Sequence, residues 1–310
     1  MKDKKKIIPH ILVCYDGSPA SYKILSYLKE FFEGVEIEIT FLKIISHPAS
    51  LETVETDIYK KLQKEVLIEK KAKEAFLQAE NELKNVSEKL KEKIPAKTYV
   101  KVLFRNGNIA ESIINLSKEN LFDGILVGRR GLSKIATYIL GGVTHKLIIL
   151  SPIPIWLIRG DMWNKKVLVA LDLGKTGLRL VDYVSFIFAN HKNAEITFFH
   201  VFYPFADLKY FEGTIDELIE TSKNPEYKKF FIKIKNSIVE NELQTKRIKF
   251  KFKRGFLGPA GEIIRTAKKE DYTTIVVGRR GRGGVKRLFL GSVSQKIISY
   301  FEDRAIWVIN

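Results

Sequence analysis

The 310-residue chain contains one cysteine, Cys14. A single thiol closes no internal disulfide, which excludes a disulfide-stapled scaffold and makes a cytoplasmic protein the default expectation. The five histidines, His10, His47, His145, His191 and His200, show no metal-ligand spacing. There is no complete Walker-type Gly-x4-Gly-Lys-Ser/Thr phosphate loop (Gly174-Lys175-Thr176 has Val169, not glycine, five residues before it), no second acidic cluster for Mg2+ and no convincing general base, so little points to fast phosphoryl chemistry. A leader is not expected either. Lys2 to Lys6 followed by Ile7 and Ile8 begins like one, but Pro9 and His10 interrupt the apolar run and no small-residue cleavage site follows. With 45% hydrophobic and 29% charged residues, the chain is neither disordered nor collagen-like. One sign of charge is in short supply: 36 acidic residues face 53 basic ones, a net charge of +17. Such an excess suits an anionic partner and leaves nucleotide, nucleic acid and acidic lipid open.

What the chain has instead is a repeat. Ile125-Leu126-Val127-Gly128-Arg129-Arg130-Gly131 recurs as Ile275-Val276-Val277-Gly278-Arg279-Arg280-Gly281, and Leu140-Gly141-Gly142-Val143-Thr144 as Leu290-Gly291-Ser292-Val293-Ser294, both at an offset of 150. Ile155-Trp156 returns as Ile306-Trp307, and Val13-Cys14-Tyr15-Asp16 is answered by Val169-Ala170-Leu171-Asp172. A period of that length is a whole domain, so the chain reads as a tandem duplication, residues 1–160 and 161–310, joined near 159–164. The repeat also removes a membrane candidate. Residues 135–158 carry only Lys146 as a formal charge, but the matching stretch of copy two holds Lys286, Arg287, Lys296, Glu302, Asp303 and Arg304. The apolar run is therefore expected to be buried helix plus strand.

Within each copy short apolar runs alternate with longer amphipathic ones. Strands are expected near 11–15, 37–45, 98–104, 125–128 and 153–158, then near 166–171, 195–202, 248–253, 274–278 and 305–309, with helices between them. The pattern predicts an α/β fold: two tandem doubly wound domains, each a five-stranded parallel sheet covered on both faces. One helix stands out. Ala72, Phe76, Ala79, Leu83, Val86 and Leu90 recur at alternating steps of four and three, and Leu62 and Val66 extend the run backwards. A long amphipathic helix over 60–93 is expected to pack on its own sheet; a projecting helix that recruits a partner is the competing reading.

Ligands of open parallel sheets sit beyond the carboxyl ends of the strands, where strand order reverses. With the order 3-2-1-4-5, that crevice lies between strands one and four, which end at Asp16 and Gly128 in copy one and at Asp172 and Gly278 in copy two. The glycines there can turn tightly and bring backbone N–H groups to an anion. Gly141 and Gly291 precede short helical runs, 143–150 and 293–300, whose N-termini suit a phosphate. Ser292 and Ser294 can donate hydroxyl bonds there or cap the helix; Thr144 can do so in copy one, but Gly142 has no hydroxyl. Each feature has a purely structural alternative. The glycines can merely shape a strand–helix turn, Asp16 and Asp172 can cap the first helix, the arginines can be solvated, His200 can be a satisfied core residue, and Cys14 can be buried and inert.

These motifs make both halves resemble the universal stress protein family, which has the adenine-nucleotide α-hydrolase-like fold. Its ATP-binding branch carries G-x2-G-x9-G-(S/T), and copy two matches in full with Gly278, Gly281, Gly291 and Ser292. The resemblance implies that Gly278, Arg279, Gly281, Gly291, Ser292, Val293 and Ser294 surround the phosphates and ribose, and that Asp172 and Val201, the residue after His200, border the adenine. Copy two departs from the family where Leu173-Gly174-Lys175 replaces the usual small polar run. Copy one is a weaker second site: it offers Asp16, Ile44, Gly128, Arg129, Gly131, Gly141, Val143 and Thr144, with Lys43 in place of the histidine. Gly142 there replaces Ser or Thr and removes a hydroxyl from the γ-phosphate.

The resemblance implies a cytoplasmic ATP-binding stress-response regulator, the nucleotide bound with or without Mg2+, with ADP or AMP as alternatives. A slow ATPase, a basic nucleic-acid binder and a ligand-free scaffold compete with it. Nucleic acid is disfavoured, since the positive charge is spread through Lys/Glu-mixed helices and no aromatic-rich RNA motif appears. The apolar last strand of each copy should need a partner. The resemblance implies pairing through it, which would make the chain an internal pseudo-dimer and leaves a further homodimer and an unknown protein partner open.

Overall fold

The computed structural model describes residues 8–48, 58–128, 141–203, 208–279 and 290–310. The first half runs β1 (His10–Cys14), α1 (Pro19–Phe31), β2 (Ile37–Ile45), α2 (Ile58–Lys91), β3 (Ala96–Phe104), α3 (Ile109–Glu119), β4 (Gly124–Gly128), α4 (Gly142–Leu150) and β5 (Ile155–Ile158). The second runs β6 (Lys166–Ala170), α5 (Lys175–Phe188), β7 (Glu195–Phe202), β8 (Phe211–Gly213), α6 (Ile215–Thr221), α7 (Pro225–Glu240), β9 (Ile248–Arg254), α8 (Gly258–Lys269), β10 (Thr274–Gly278), α9 (Ser292–Tyr300) and β11 (Ala305–Ile309). Pro19 at the first helical position presets the backbone of α1, which buries Ala20, Ile24, Tyr27, Leu28 and Phe31 on one side.

Both halves have the expected 3-2-1-4-5 arrangement, but they do not form two separate sheets. The eleven strands among the described residues belong to one sheet, ordered β3-β2-β1-β4-β5-β11-β10-β6-β7-β9-β8. The seam is the antiparallel pair β5–β11, in which Trp307 lies opposite Trp156. Their rings stack parallel at 3.8 Å, with Phe32 stacked on Trp156 and Phe188 on Trp307. Two tyrosines at equivalent places fasten the flanks: Tyr27 Oη bonds Thr274 Oγ1 at 3.1 Å, and Tyr183 Oη donates to the Asp123 carbonyl at 2.8 Å. The implied internal pairing is thus present, and its physical reason is the one expected. Strands as apolar as Ile155–Ile158 and Ala305–Ile309, buried along their whole length, cannot be left as open edges.

The second half departs from the five-strand expectation. A sixth strand, β8, pairs antiparallel with β9 and leads into α6, whose start is closed by a Thr214–Glu217 capping box. Three residues, Phe-Glu-Gly, carry too little alternation to be read as a strand beforehand.

One core lies under α1, α2, α5 and α7, through Ile24, Leu83, Leu180 and Phe231. The other lies under α3, α4, α8 and α9, through Ile113, Leu147, Ile263 and Ile297. Each core contains residues from both halves. The long helix α2 packs by its own seam: Ala72, Ala79, Leu83, Val86 and Leu90 are buried in the first half's share of the sheet face. The helix extends backwards as expected, to Ile58, but its buried seam does not reach Val66, which is 69% exposed, and the side chain of Leu62 lies outside the described residues. Of the apolar run 135–158, the described part is α4 and the fully buried β5. Among the described residues no helix is long and apolar enough to cross a membrane.

Candidate functional site

Parallel strands end together, and in the second half β6, β7 and β10 do so at the point where strand order reverses. Ala170 pairs with Phe199, and Leu171 N–H donates to the Phe199 carbonyl at 2.9 Å, so Asp172 comes level with Val201. On the other side Val169 pairs with Val276, which brings Leu171 level with Gly278. Asp172, Val201 and Gly278 therefore meet at one crevice.

The start of α9 is pinned to the same place. Gly291 N–H donates to the Arg279 carbonyl at 2.8 Å, and Ser294 Oγ donates to the Gly278 carbonyl at 2.6 Å. The N-cap is Gly291, and among the described residues no side chain caps the N–H groups of the first turn. Ser292 is exposed there, Val293 half-buried and Ser294 buried. This end of α9 carries the positive end of the helix dipole, and among the described residues no side chain caps it.

The two strand-one aspartates differ. Asp16 Oδ1 accepts from Ser18 N–H at 3.0 Å and from Ser21 Oγ at 2.6 Å, a closed turn at the entry to α1. Asp172 makes no such turn, since the N-cap of α5 is Gly174 and no side chain caps that helix. Its Oδ1 is buried without a hydrogen-bond partner among the described residues. Gly177 explains the position of Asp172: a Cβ there would lie 1.8 Å from the Asp172 carbonyl oxygen, so the first turn of α5 presses directly on the backbone of the aspartate. Gly177 was not singled out from the sequence; a glycine inside a helical run was the only available signal.

His200 is structural here. Its Nδ1 donates to the Leu171 carbonyl at 2.9 Å and its ring meets Phe252 edge-on. Its counterpart Lys43 forms an ion pair with Glu82 of α2. Glu82 reaches over the end of β1, where a Cβ on Gly17 would lie 3.0 Å from its Oε1. Burial, helped by the charge of Asp16, pushes the Cys14 thiol up to about 12, so it is no nucleophile at neutral pH.

Arg279 turns away from the crevice. Its Nη1 donates to the Ile149 carbonyl at 2.9 Å and the Ser151 carbonyl at 3.2 Å, at the far end of α4 in the other half. In the first half Gly128 is tightly overlaid, since a Cβ there would be 2.7 Å from the Ala20 carbonyl oxygen. Around Gly141 and Gly142, by contrast, an added Cβ meets nothing of the described residues within 4 Å. Ile44, on β2, and Val143, at the start of α4, are half-buried against the same core, and Thr144 is buried. Gly281, Arg129 and Gly131 lie outside the described residues. Among the described residues there is no group of three or more His, Cys, Asp or Glu side chains that could hold a metal ion.

The family model described as the universal stress protein family matches the chain twice, over residues 8–159 and 164–302. Universal stress protein YxiE of Bacillus subtilis (strain 168) is 30% identical over 150 residues, covering 48% of this chain and 97% of the relative. Among solved structures, a universal stress protein from Archaeoglobus fulgidus DSM 4304 is similar with a TM-score of 0.61 at 23% identity, over 97% of this chain and 98% of that one. A putative universal stress protein from Pseudomonas aeruginosa UCBPP-PA14 is similar with a TM-score of 0.56 at 14% identity, over 98% and 94%. Both structural likenesses extend over the two halves together, and they speak for the fold alone. The chain therefore belongs to the universal stress protein family, with the family's domain present twice in tandem.

Proposed function

We propose that the protein is a regulator that binds an adenine nucleotide, ATP, in its C-terminal half. The observation that carries this reading is the Asp172 carboxylate oxygen, buried without a partner, in the same crevice as the uncapped start of α9. A buried acceptor without a donor costs about 1–3 kcal/mol. An amino group such as the exocyclic amine of adenine would relieve it. The free N–H groups of α9, with the Ser292 hydroxyl, would receive the phosphates. Val201 and Val293 would supply apolar contact for base and sugar, and Gly278, Gly291 and Ser294 would shape the cradle between them; Gly281 is assigned to the same site by the family motif alone. Any Mg2+ would arrive on the phosphates, which supply ligands it commonly uses. A cytoplasmic setting, where a lone thiol stays reduced, suits this reading.

The first half is the poorer site by the same criteria. Its Asp16 oxygen already accepts two hydrogen bonds, and Gly142 offers no hydroxyl. One nucleotide per chain is expected.

The test is mass spectrometry of small molecules released from the freshly purified full chain, followed by calorimetric titration with ATP, ADP and AMP. Asp172→Leu should weaken binding by about 2 kcal/mol, roughly thirtyfold. Absence of both released nucleotide and binding heat would overturn the reading, as would an Asp172→Leu chain that binds as tightly as the unaltered one.

A further inference from the structure

The two helices whose starts form the candidate sites are each finished by the other half of the chain. At the end of α4, the Ile149 and Ser151 carbonyls accept from Arg279 Nη1, and Ser151 also accepts from Asn310 Nδ2 at 2.9 Å. At the end of α9, the Ile298 and Phe301 carbonyls accept from Arg159 Nη1. Arg159 directly follows β5 and is 5% exposed. Its own carbonyl is held by Lys23 of α1 at 3.1 Å. Arg279 in turn is part of the repeated glycine motif: its carbonyl takes the Gly291 N–H and its N–H donates to the Ile309 carbonyl. The residue that fixes the start of α9 is therefore also the residue that clamps the end of α4.

We infer that these crossed arginine clamps couple the two halves. A nucleotide at the start of α9 alters α4 through Arg279, and Arg159 sets in return how firmly α9 holds the nucleotide. This rests on the nucleotide reading above. The physical route is short. A nine-residue helix is about 13 Å long and transmits displacement as a unit. An anion at one end of such a dipole and a guanidinium at the other favour the same ordered helix. The ligand contacts residues bonded to Arg279 directly, so it discriminates between clamped and unclamped arrangements, as a coupled ligand must. Linkage makes the effect reciprocal. The N-terminal half, with its weaker motif, is on this account the responder: its α4 reports the occupancy of the other half.

Hydrogen exchange on the full chain tests this. Adding ATP should slow exchange severalfold both in 292–300 and in 142–151. Slowing confined to 292–300 overturns the coupling and leaves the nucleotide reading intact. Slowing in neither segment, together with no binding heat, overturns both. Arg159 is a positioning residue with no place in the crevice. Arg159→Gln should raise the Kd for ATP severalfold at unchanged stoichiometry, and Arg159→Lys should recover part of the loss. A merely structural role would lower the melting temperature and the binding-competent fraction without moving Kd, and that result refutes the return arm. Should Arg159→Gln fail to fold, the exchange pattern of the unaltered chain decides the matter.

Discussion

Acid should loosen the junction between the halves through one histidine. His191, in the loop after α5, is fully buried. Its ring sits among Phe31, Phe32 and Phe188, and its Nε2 donates to the Phe31 carbonyl of the first half at 2.5 Å. Nδ1 has no partner among the described residues. Burial pushes the imidazole from 6.5 down to about 4, against the pull of the Phe31 carbonyl and with help from the charges of Lys165 and Arg247. The sign follows. The unfolded chain takes up the proton near pH 6.5 and the folded one only near 4, so the stabilisation is complete above about pH 6.5 and is lost as pH falls towards 4. At about 1.4 kcal/mol per pH unit, that gap amounts to about 3 kcal/mol, most of it gone by about pH 4.5. Urea unfolding of the full chain between about pH 7.5 and 4.5 reads this directly. His191→Gln keeps an N–H donor and does not titrate, so its stability should fall with pH less steeply by that amount. Parallel pH profiles for the two chains would refute the reasoning.

Three further outcomes are expected. Gly142→Ser restores the missing hydroxyl at the start of α4, where an added Cβ meets nothing of the described residues within 4 Å, and should raise the stoichiometry of ATP binding by calorimetry from one towards two; an unchanged stoichiometry refutes it. Trp307→Ala empties the centre of the junction, where both tryptophans are 0% exposed, and should lower unfolding free energy in urea by about 3–5 kcal/mol; a loss below about 1 kcal/mol would mean that the stack closes around the gap. Cys14, with its thiol raised to about 12, should resist iodoacetamide at pH 8 in the folded chain and react on unfolding, and fast labelling of the native protein would contradict the burial.

Much of the fold was legible because apolar runs of five to nine residues, separated by helical periodicity, leave few alternatives. The seam Ala72–Phe76–Ala79–Leu83–Val86–Leu90 could be read residue by residue, since a helix that buries one face repeats its apolar residues at helical spacing. Val66 falls outside it: it stands six residues before Ala72, off the alternating three- and four-residue steps, and it is 69% exposed. By contrast, Asp16 and Asp172 occupy equivalent sequence positions, yet one closes a turn with Ser21 and the other is left with a buried oxygen.

The strand order 3-2-1-4-5 is assumed at the level of sequence, and the structure supplies it; from its residues alone, the chain determined its duplication, its parallel α/β class and the glycines that follow the fourth strand of each copy. Those are properties of local pattern and short-range chirality, which every stretch of chain carries with it. The tertiary structure alone decided that each of the two cores draws on both halves, that Arg279 and Arg159 each seat on a helix end about 130–140 positions away, and that His191 lies against Phe31. An arginine's partner is settled by which unpaired carbonyls the fold brings within reach, and no spacing along the sequence encodes that.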